Sequence, residues 1–303
     1  MRLPVSVVIP SFNRPKQIKI ILKKVLENTP SEVIIVDDCS DAKEEYESII
    51  NDFKNDFQDV NLKLIRNKIN KGASISRHIG FSQVSSDYVL FIDDDILLSQ
   101  GYIENLFKTI TLYDNCVTAS GKIGLVTSLE EFENRQSVKS IDLFDIKKLN
   151  VINCSTLRID PNKINRAKPG VYHVEFTWNP LLWRVNFLKE NKIEFFPYRG
   201  NGYREETDPQ IQAAKCGGLI LLNTNVECYH WGIKNEGGQW GKGLFKNYRW
   251  YFSSLKNNWI FLNRHYDYLR KTANFNSKLL LQINFSVRLL SVFIPNCIKN
   301  SLK

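Results

Sequence analysis

Three consecutive carboxylates, Asp93, Asp94 and Asp95, follow the apolar, β-prone run Tyr88 to Ile92. Adjacent acids repel one another, so the arrangement makes chemical sense where a cation screens them. Side chains alternate along an extended strand, which sends Asp93 and Asp95 to one side and Asp94 to the other. An Asp-x-Asp pair at a strand end can hold Mg²⁺ or Mn²⁺, with phosphate oxygens completing the shell. An acidic turn or a helix N-cap explains the same residues without a ligand, because Asp favours both.

A second acidic group, Glu205, Glu206 and Asp208, lies in RGNGYREETDPQIQAAKCGG (199–218), a Gly-rich loop running into a helix. If Glu206 faces the aspartates across a crevice, it can take a proton from an attacking hydroxyl. Acids complementing a helix dipole are the alternative, and would suit all three. His230, between Tyr229 and Trp231 in an apolar run, is the histidine best placed to ligate a metal; a hydrogen-bonded structural histidine is the other reading. After the first apolar run there is no G-x-G-x-x-G and no G-x-x-x-x-G-K-[ST], so neither a dinucleotide fingerprint nor a P-loop is present. The turn there is PSFNRP, in which Ser11 lies and Asn13 and Arg14 offer donors. With Asp38 and Arg77 these residues outline a nucleotide bay: Asp38 for the base, Asp93 for ribose or metal, Asp95 for metal, and Arg77 for charge balance.

The elements that would position them alternate. VSVVI (5–9), EVIIV (32–36), LKLI (62–65) and YVLFI (88–92) read as strands. Helices are expected from Pro15, where Ile18, Ile21, Leu22, Val25 and Leu26 recur at the helical period, and over about 42–53, 74–84 and 102–112. Strands separated by helices imply right-handed crossovers and a mostly parallel sheet, with ligands at the carboxyl ends of its strands. Pro10, Asp38 and Asp93 all fall at such ends. Residues 128–170 are polar with little periodicity and read as loops over the sheet, or as a lid. Residues 175–191 suggest a strand leading into a short helix, GLILL and NVECYHW two further strands, and the chain from about Gly241 a helical tail.

The chain has 303 residues, 43% hydrophobic, enough to bury a full core. No run of about 18 apolar residues predicts a membrane span, and Pro4 and Pro10 argue against a signal helix. Six cysteines without C-x-x-C pairs read as reduced thiols of a cytosolic protein. The net charge of +9 is uneven: residues 234–303 carry 12 Lys/Arg against Glu236 and Asp267. That basic tail, interleaved with Trp240, Phe245, Tyr248, Trp250, Tyr251, Phe252 and Trp259, suits an anionic surface such as membrane lipid, a phosphorylated carrier or nucleic acid; a nucleic-acid recognition motif is missing. A solvated pair of basic helices is the alternative. Residues 277–294 are apolar around most of their circumference but broken by Gln282, Asn284 and Arg288, which fits helix packing or interfacial contact better than spanning.

VSVVIPSFNRP, VIIVDDCS, NKINKGASISRHIG, DYVLFIDDDILL and NGYREETDPQIQAAKCGG, in that order and spacing over residues 3–232, resemble the inverting family-two glycosyltransferases of GT-A fold. The resemblance implies an α/β fold with a Rossmann-like, mostly parallel sheet flanked by helices. A nucleotide-binding half (1–125) and an acceptor-binding half (126–240) would be followed by a helical extension (241–303). It implies transfer of a sugar from a nucleotide-diphosphate donor, usually a UDP-sugar, with Mg²⁺ or Mn²⁺ on the diphosphate. Asp38 would contact the base, and Pro10 would begin the loop lining the nucleotide together with Ser11, Asn13, Arg14, Arg77, Asp93 and Asp94. Asp95, Asp93 and His230 would serve the metal, and Glu206, or Glu205, would be the base. Trp178, Asp208 and Trp231 would lie on the acceptor side; Trp178, Trp231 and Trp240 are candidate sugar-stacking platforms, with a core position the more common reading of each. The acceptor would be a glycan or a lipid-linked saccharide of the cell surface, reached from the cytoplasm or the inner membrane face. The sequence departs from the family pattern in having Glu at 206 for Asp, Pro209 for an apolar residue, Gln212 for Arg and His78 for Asn. The rivals are a sugar-phosphate nucleotidyltransferase, whose Gly-rich first loop is missing here, and a non-catalytic sugar-nucleotide or glycan-binding module.

Overall fold

The computed structural model describes residues 2–135, 146–232 and 244–301, with side chains left aside at 244–246 and 295–301. The amino-terminal half alternates as its apolar runs require. In order come β1 (Leu3–Ser11), α1 (Pro15–Glu27), β2 (Pro30–Asp37), α2 (Lys43–Asp56), β3 (Asn61–Arg66), α3 (Ala73–Phe81) and β4 (Tyr88–Phe91). Parallel pairing places β1 between β2 and β4, with β3 outside β2. The central strands are buried on both faces, which is why they read as continuous apolar runs. Pro15 starts α1 with its preset φ, and Ile18, Ile21, Leu22, Val25 and Leu26 are buried from it. On α3, Gly80 permits a close approach to the sheet: a Cβ there would stand 2.4 Å from a Val8 methyl. That contact fixes the helix whose first turns carry Ser74 and Arg77.

The second half is mixed. It comprises β5 (Ile96–Leu98), α4 (Tyr102–Leu112), β6 (Cys116–Val126), α5 (Leu129–Arg135), β7 (Lys147–Lys148), β8 (Ile152–Asn153), β9 (Arg158–Ile159), α6 (Pro161–Asn165), β10 (Val171–His173), β11 (Leu181–Arg184), α7 (Val185–Glu190), α8 (Thr207–Lys215) and β12 (Leu219–Trp231). Strand β11 enters antiparallel between β4 and β6, joining the two halves into one ten-stranded sheet. The first half is parallel throughout; beyond β4 the sheet is mixed, with β11 antiparallel to both neighbours and β12 parallel to β6 but antiparallel to β10 and β5. GLILL and NVECYHW form the single strand β12, carried past a register shift between Asn223 and Glu227. Residues 128–170, expected as loops, hold α5, the β8–β9 pair and α6, while 136–145 lie outside the described residues.

The tail is helical, with α9 (Leu244–Leu269) and α10 (Lys278–Ser301) packed together. The boundary expected near 240, and with it Trp240, lies outside the described residues. Phe261, Leu262 and Leu269 of α9 join a core with Phe176, Tyr198 and Ile211, so this helix belongs to the body of the fold. Cys39, Cys116, Cys154, Cys216 and Cys228 are free thiols. Among the described residues no helix is long and apolar enough to cross a membrane.

Candidate active site

Strand β4 ends at Phe91, and Ile92 to Asp95 turn before β5, with Ile96 N donating to Asp93 O (3.2 Å). The aspartates therefore do not alternate as on a strand. Arg14 Nη1 bridges Asp94 Oδ1 (2.7 Å) and Asp95 Oδ2 (2.9 Å), whereas Asp93 pairs with Arg77. Asp94 is the most buried of the three and also accepts from Ser11 Oγ (2.8 Å). Burial, with Asp95 beside it, pushes its carboxyl up to about 6 despite Arg14. Tyr46 OH lies 2.7 Å from Ser11 Oγ and accepts from Arg14 N (3.1 Å), so α2 braces the β1–α1 loop.

Pairing of β5 with β12 brings in the distant histidine: His230 registers with Ile96, and Trp231 N donates to Asp95 O (2.7 Å). His230 Nε2 then stands 3.6 Å from Asp95 Oδ2. Among the described residues no three His, Cys, Asp or Glu side chains cluster as a metal cage. A hard cation that keeps waters and substrate phosphates in its shell needs only one or two protein ligands. Asp95 and His230, 3.6 Å apart, are the side chains that could hold such a cation, and Arg14 bridges Asp94 and Asp95 at the same corner.

Opposite stand the two glutamates. Arg77, buried on α3, donates from Nη1 to Glu205 Oε1 (2.7 Å) and pairs through Nη2 with Asp93, with Glu206 Oε1 3.9 Å from Nη2. One side chain thus joins the aspartate turn to the acid loop. Burial opposes its charge, but Asp93, Glu205 and Glu206 outweigh that and raise its pKa. Glu206 occupies the position that caps α8 yet makes no side-chain cap bond, accepting instead from Asn179 N (3.3 Å). Desolvation, reinforced by Asp93 and Glu205, pushes Glu206 up to about 8. Glu205 is raised as well, first by burial.

A cavity of about 790 Å³ lies between these groups, in the size range of small-molecule sites. Pro10, Ser11, Arg14, Asp38, Arg77, Asp93, Asp94, Asp95, Glu205, Glu206 and His230 all line it, so eleven sequence-selected residues converge. Asp38 holds the floor, accepting from Lys71 N (2.9 Å), Gly72 N (2.8 Å) and Asn67 Nδ2 (2.8 Å).

Four expected residues, Asn13, Trp178, Asp208 and Trp231, stand outside the lining of this cavity. Asn13 ties two loops together through Asp41 and Ser40. Trp178 and Trp231 are half-buried against the cores, fixed by long-range packing that local sequence does not display. Asp208 is fully buried: it accepts from Tyr198 OH (2.6 Å), Arg264 Nε (2.9 Å) and Gln212 Nε2 (2.5 Å), with His265 Nε2 at 2.9 Å from Oδ2. Burial would raise this carboxyl, but His265, Tyr198 and Arg264 hold it down at about 2. A folded-state pKa below the ordinary range means stability that is present above pH 4 and lost as pH falls toward 2. Asp208→Asn should therefore cost on the order of 2 kcal/mol at pH 7 in urea denaturation, and the difference should shrink by pH 3.

The Gly-rich loop, read in the sequence for its acids, also lines the cavity through Pro197–Gly202; what sequence reasoning missed is the helix α9 that braces it. Asn257 Nδ2 donates to Arg199 O (2.8 Å), Asn201 Nδ2 to Ser254 Oγ (2.5 Å), and Arg204 to Asn258 Oδ1 (2.8 Å from Nη2). The one usable signal was the glycine pair. Gly202 has φ of +63°, and a Cβ there would stand 2.6 Å from Glu205 Cδ. Gly202→Ala should push Glu205 off Arg77 and lower turnover about tenfold or more with a modest loss of melting temperature. Steady-state kinetics beside thermal melts would check this.

Comparison with known proteins gives the family and the fold. A family model described as glycosyl transferase family 2 matches residues 6–162. A Haemophilus influenzae protein described as an uncharacterized glycosyltransferase is 37% identical over 107 residues, covering 35% of this chain and 34% of that protein. The poly(ribitol-phosphate) β-N-acetylglucosaminyltransferase TarP of Staphylococcus aureus is 32% identical over 108 residues, 34% of this chain and 32% of its own. These alignments span about a third of each curated relative. The crystal structure of GalNAc-T7 with UDP, GalNAc and Mn²⁺ superposes with a TM-score of 0.62 at 16% identity, covering 88% of this chain and 48% of that one. At such identity the likeness establishes a shared fold.

Proposed function

The chain belongs to glycosyl transferase family 2 and has its GT-A fold, and from that premise we propose that it moves a sugar from a nucleotide-diphosphate donor, a UDP-sugar, to a hydroxyl of a glycan or lipid-linked saccharide, with inversion. The observation that carries this reading is the Arg77 bridge, which sets Asp93 and the two glutamates around one cavity. Support for a UDP donor comes from fold neighbours solved with UDP and with UDP-GlcNAc, while another holds GDP-Man, which is why the donor is screened below.

In this mechanism Asp38 and the β1–α1 loop receive the nucleoside, and Arg14 and the aspartate turn face the diphosphate. A divalent cation, Mn²⁺ or Mg²⁺, held by Asp95 and His230 with Asp93 alongside, would supply neutralisation of charge on the departing diphosphate. Glu206 is the base. Glu205 is tied to Arg77, whereas Glu206 is the more exposed of the two and the more basic. It takes the proton of the acceptor hydroxyl as that oxygen bonds to the anomeric carbon. The bond to the phosphate oxygen breaks on the opposite face, and the nucleoside diphosphate leaves with the electron pair. A carboxylate with a pKa near neutrality suits that proton transfer. In the same proposal the protein works in the cytoplasm, peripherally at the inner membrane face where a lipid-linked acceptor is displayed.

Donor hydrolysis screened over UDP-, GDP- and dTDP-sugars with Mn²⁺ tests the reading. Release of UDP from UDP-sugars is expected. Consumption of a nucleoside triphosphate with a sugar phosphate, releasing pyrophosphate, would instead establish the nucleotidyltransferase, and binding without turnover the non-catalytic module.

A further inference from the structure

Helix α10 is apolar on two opposite sides. Leu281, Phe285 and Leu289 recur every four residues and are buried against the rest of the protein. At 100° per residue, Leu279, Leu280, Ile283, Val287, Leu290 and Ile294 fall within an arc of about 100° on the other side, and each is between 37% and 60% exposed. Every position of that arc from 279 to 294 is aliphatic, giving a stripe ~23 Å long. The polar residues of the helix are used inward or at the seams: Gln282 Nε2 donates to Leu255 O (3.0 Å), and Asn284 Nδ2 to Ser155 O (2.5 Å). A helix that packs through one side ordinarily carries polar residues on the other. The patch continues onto α9, where the exposed Tyr248, Phe252 and Trp259 share one helix face and Tyr248 meets Phe293 edge-on at 5.3 Å.

Charge selects the occupant. Beyond Asp267 the sequence has no acid, while it has six Lys/Arg. A second copy docked on this face would bring the same positive excess against itself, whereas an anionic lipid surface neutralises it. Because no described helix is long and apolar enough to cross a bilayer, the mode is interfacial.

We propose that α10 lies in the surface of an anionic bilayer with its aliphatic stripe at the acyl boundary and the tail's basic residues at headgroup phosphates. This rests on the peripheral membrane placement above and specifies the surface that makes contact. Co-sedimentation of the full chain with phosphatidylglycerol-containing vesicles and with pure phosphatidylcholine vesicles tests it, using Ile283→Glu/Val287→Glu as the variant. The expected result is binding of the wild type to the anionic vesicles, weakened roughly 100-fold in the variant, with donor hydrolysis equal in both proteins. If the variant binds as well as the wild type, the stripe is not the contact and the basic residues alone hold the membrane. A wild type that ignores anionic vesicles overturns the proposal, and if it sediments as a dimer that the variant abolishes, the face is an interface between copies. Donor hydrolysis in solution is independent of these outcomes, so failure here is distinct from failure of the transfer reaction.

Discussion

Glu206→Gln is expected to lower sugar transfer about 10³-fold while donor affinity stays within about threefold. The substitution keeps the shape of the side chain and its hydrogen bond from Asn179 N, so the cavity is preserved and proton acceptance is lost. The same change should alter the pH dependence of folding. A partly buried carboxyl whose folded pKa lies near 8 holds its proton in the folded state after the unfolded chain has released it. Stability therefore falls as pH rises from about 4.5 to about 8. In the variant that slope should flatten, leaving the ligand-free protein at least as stable as the wild type at pH 9. Kinetics, donor titration and melts across that range read all three effects. Wild-type turnover in the variant would remove Glu206 as the base and leave Glu205 as the remaining glutamate.

Arg77→Met is expected to be more damaging than any other single change at the site. It removes the buried guanidinium shared by Asp93, Glu205 and Glu206 and leaves three partly buried carboxylates facing one another. Breaking such a network costs about 3–5 kcal/mol, or roughly 6–12 °C in melting temperature for a protein of this size. The deficit should be larger at pH 8 than at pH 5, where Glu206, pushed up to about 8, carries its proton and repels its neighbours less. Arg77→Lys restores one charge without the planar fork that reaches both Asp93 and Glu205. It should recover part of the stability and little of the activity. Melting curves of the three proteins at the two pH values are the check, and an Arg77→Met protein as stable as the wild type at pH 8 would refute the bridge.

The first half of the fold was legible because its determinants are local. The apolar runs at β1, β2 and β4, the period of α1 and its Pro15 each signal an element within a dozen residues. What sequence could not supply is contact across the sheet. Strand β11 is four residues long and runs antiparallel beside β4 and β6, set by pairing with residues 63 to 96 positions away. The aspartates were read as an extension of β4, but the turn after Phe91 sends Asp94 and Asp95 to Arg14 and Asp93 to Arg77, reversing the expected alternation. Asp208 looked like an acceptor-side acid, yet Arg264 and His265 arrive from α9, more than fifty residues downstream, and bury it. Gln212, where the family pattern carries Arg, donates to Asp208 from α8, while the guanidinium comes from Arg264. The tail looked like an appendage by charge, and its α9 proves to brace the loop that carries the glutamates.

The most direct test of the site is calorimetric titration of UDP, GDP and dTDP into the wild type and Asp95→Asn, each with and without Mn²⁺. The expected result is wild-type binding of UDP that strengthens with Mn²⁺, with that gain reduced at least tenfold in Asp95→Asn. Absence of nucleoside diphosphate binding to the wild type, or equal affinity of the two proteins in Mn²⁺, would contradict the assignment of this cavity to a nucleotide-sugar donor.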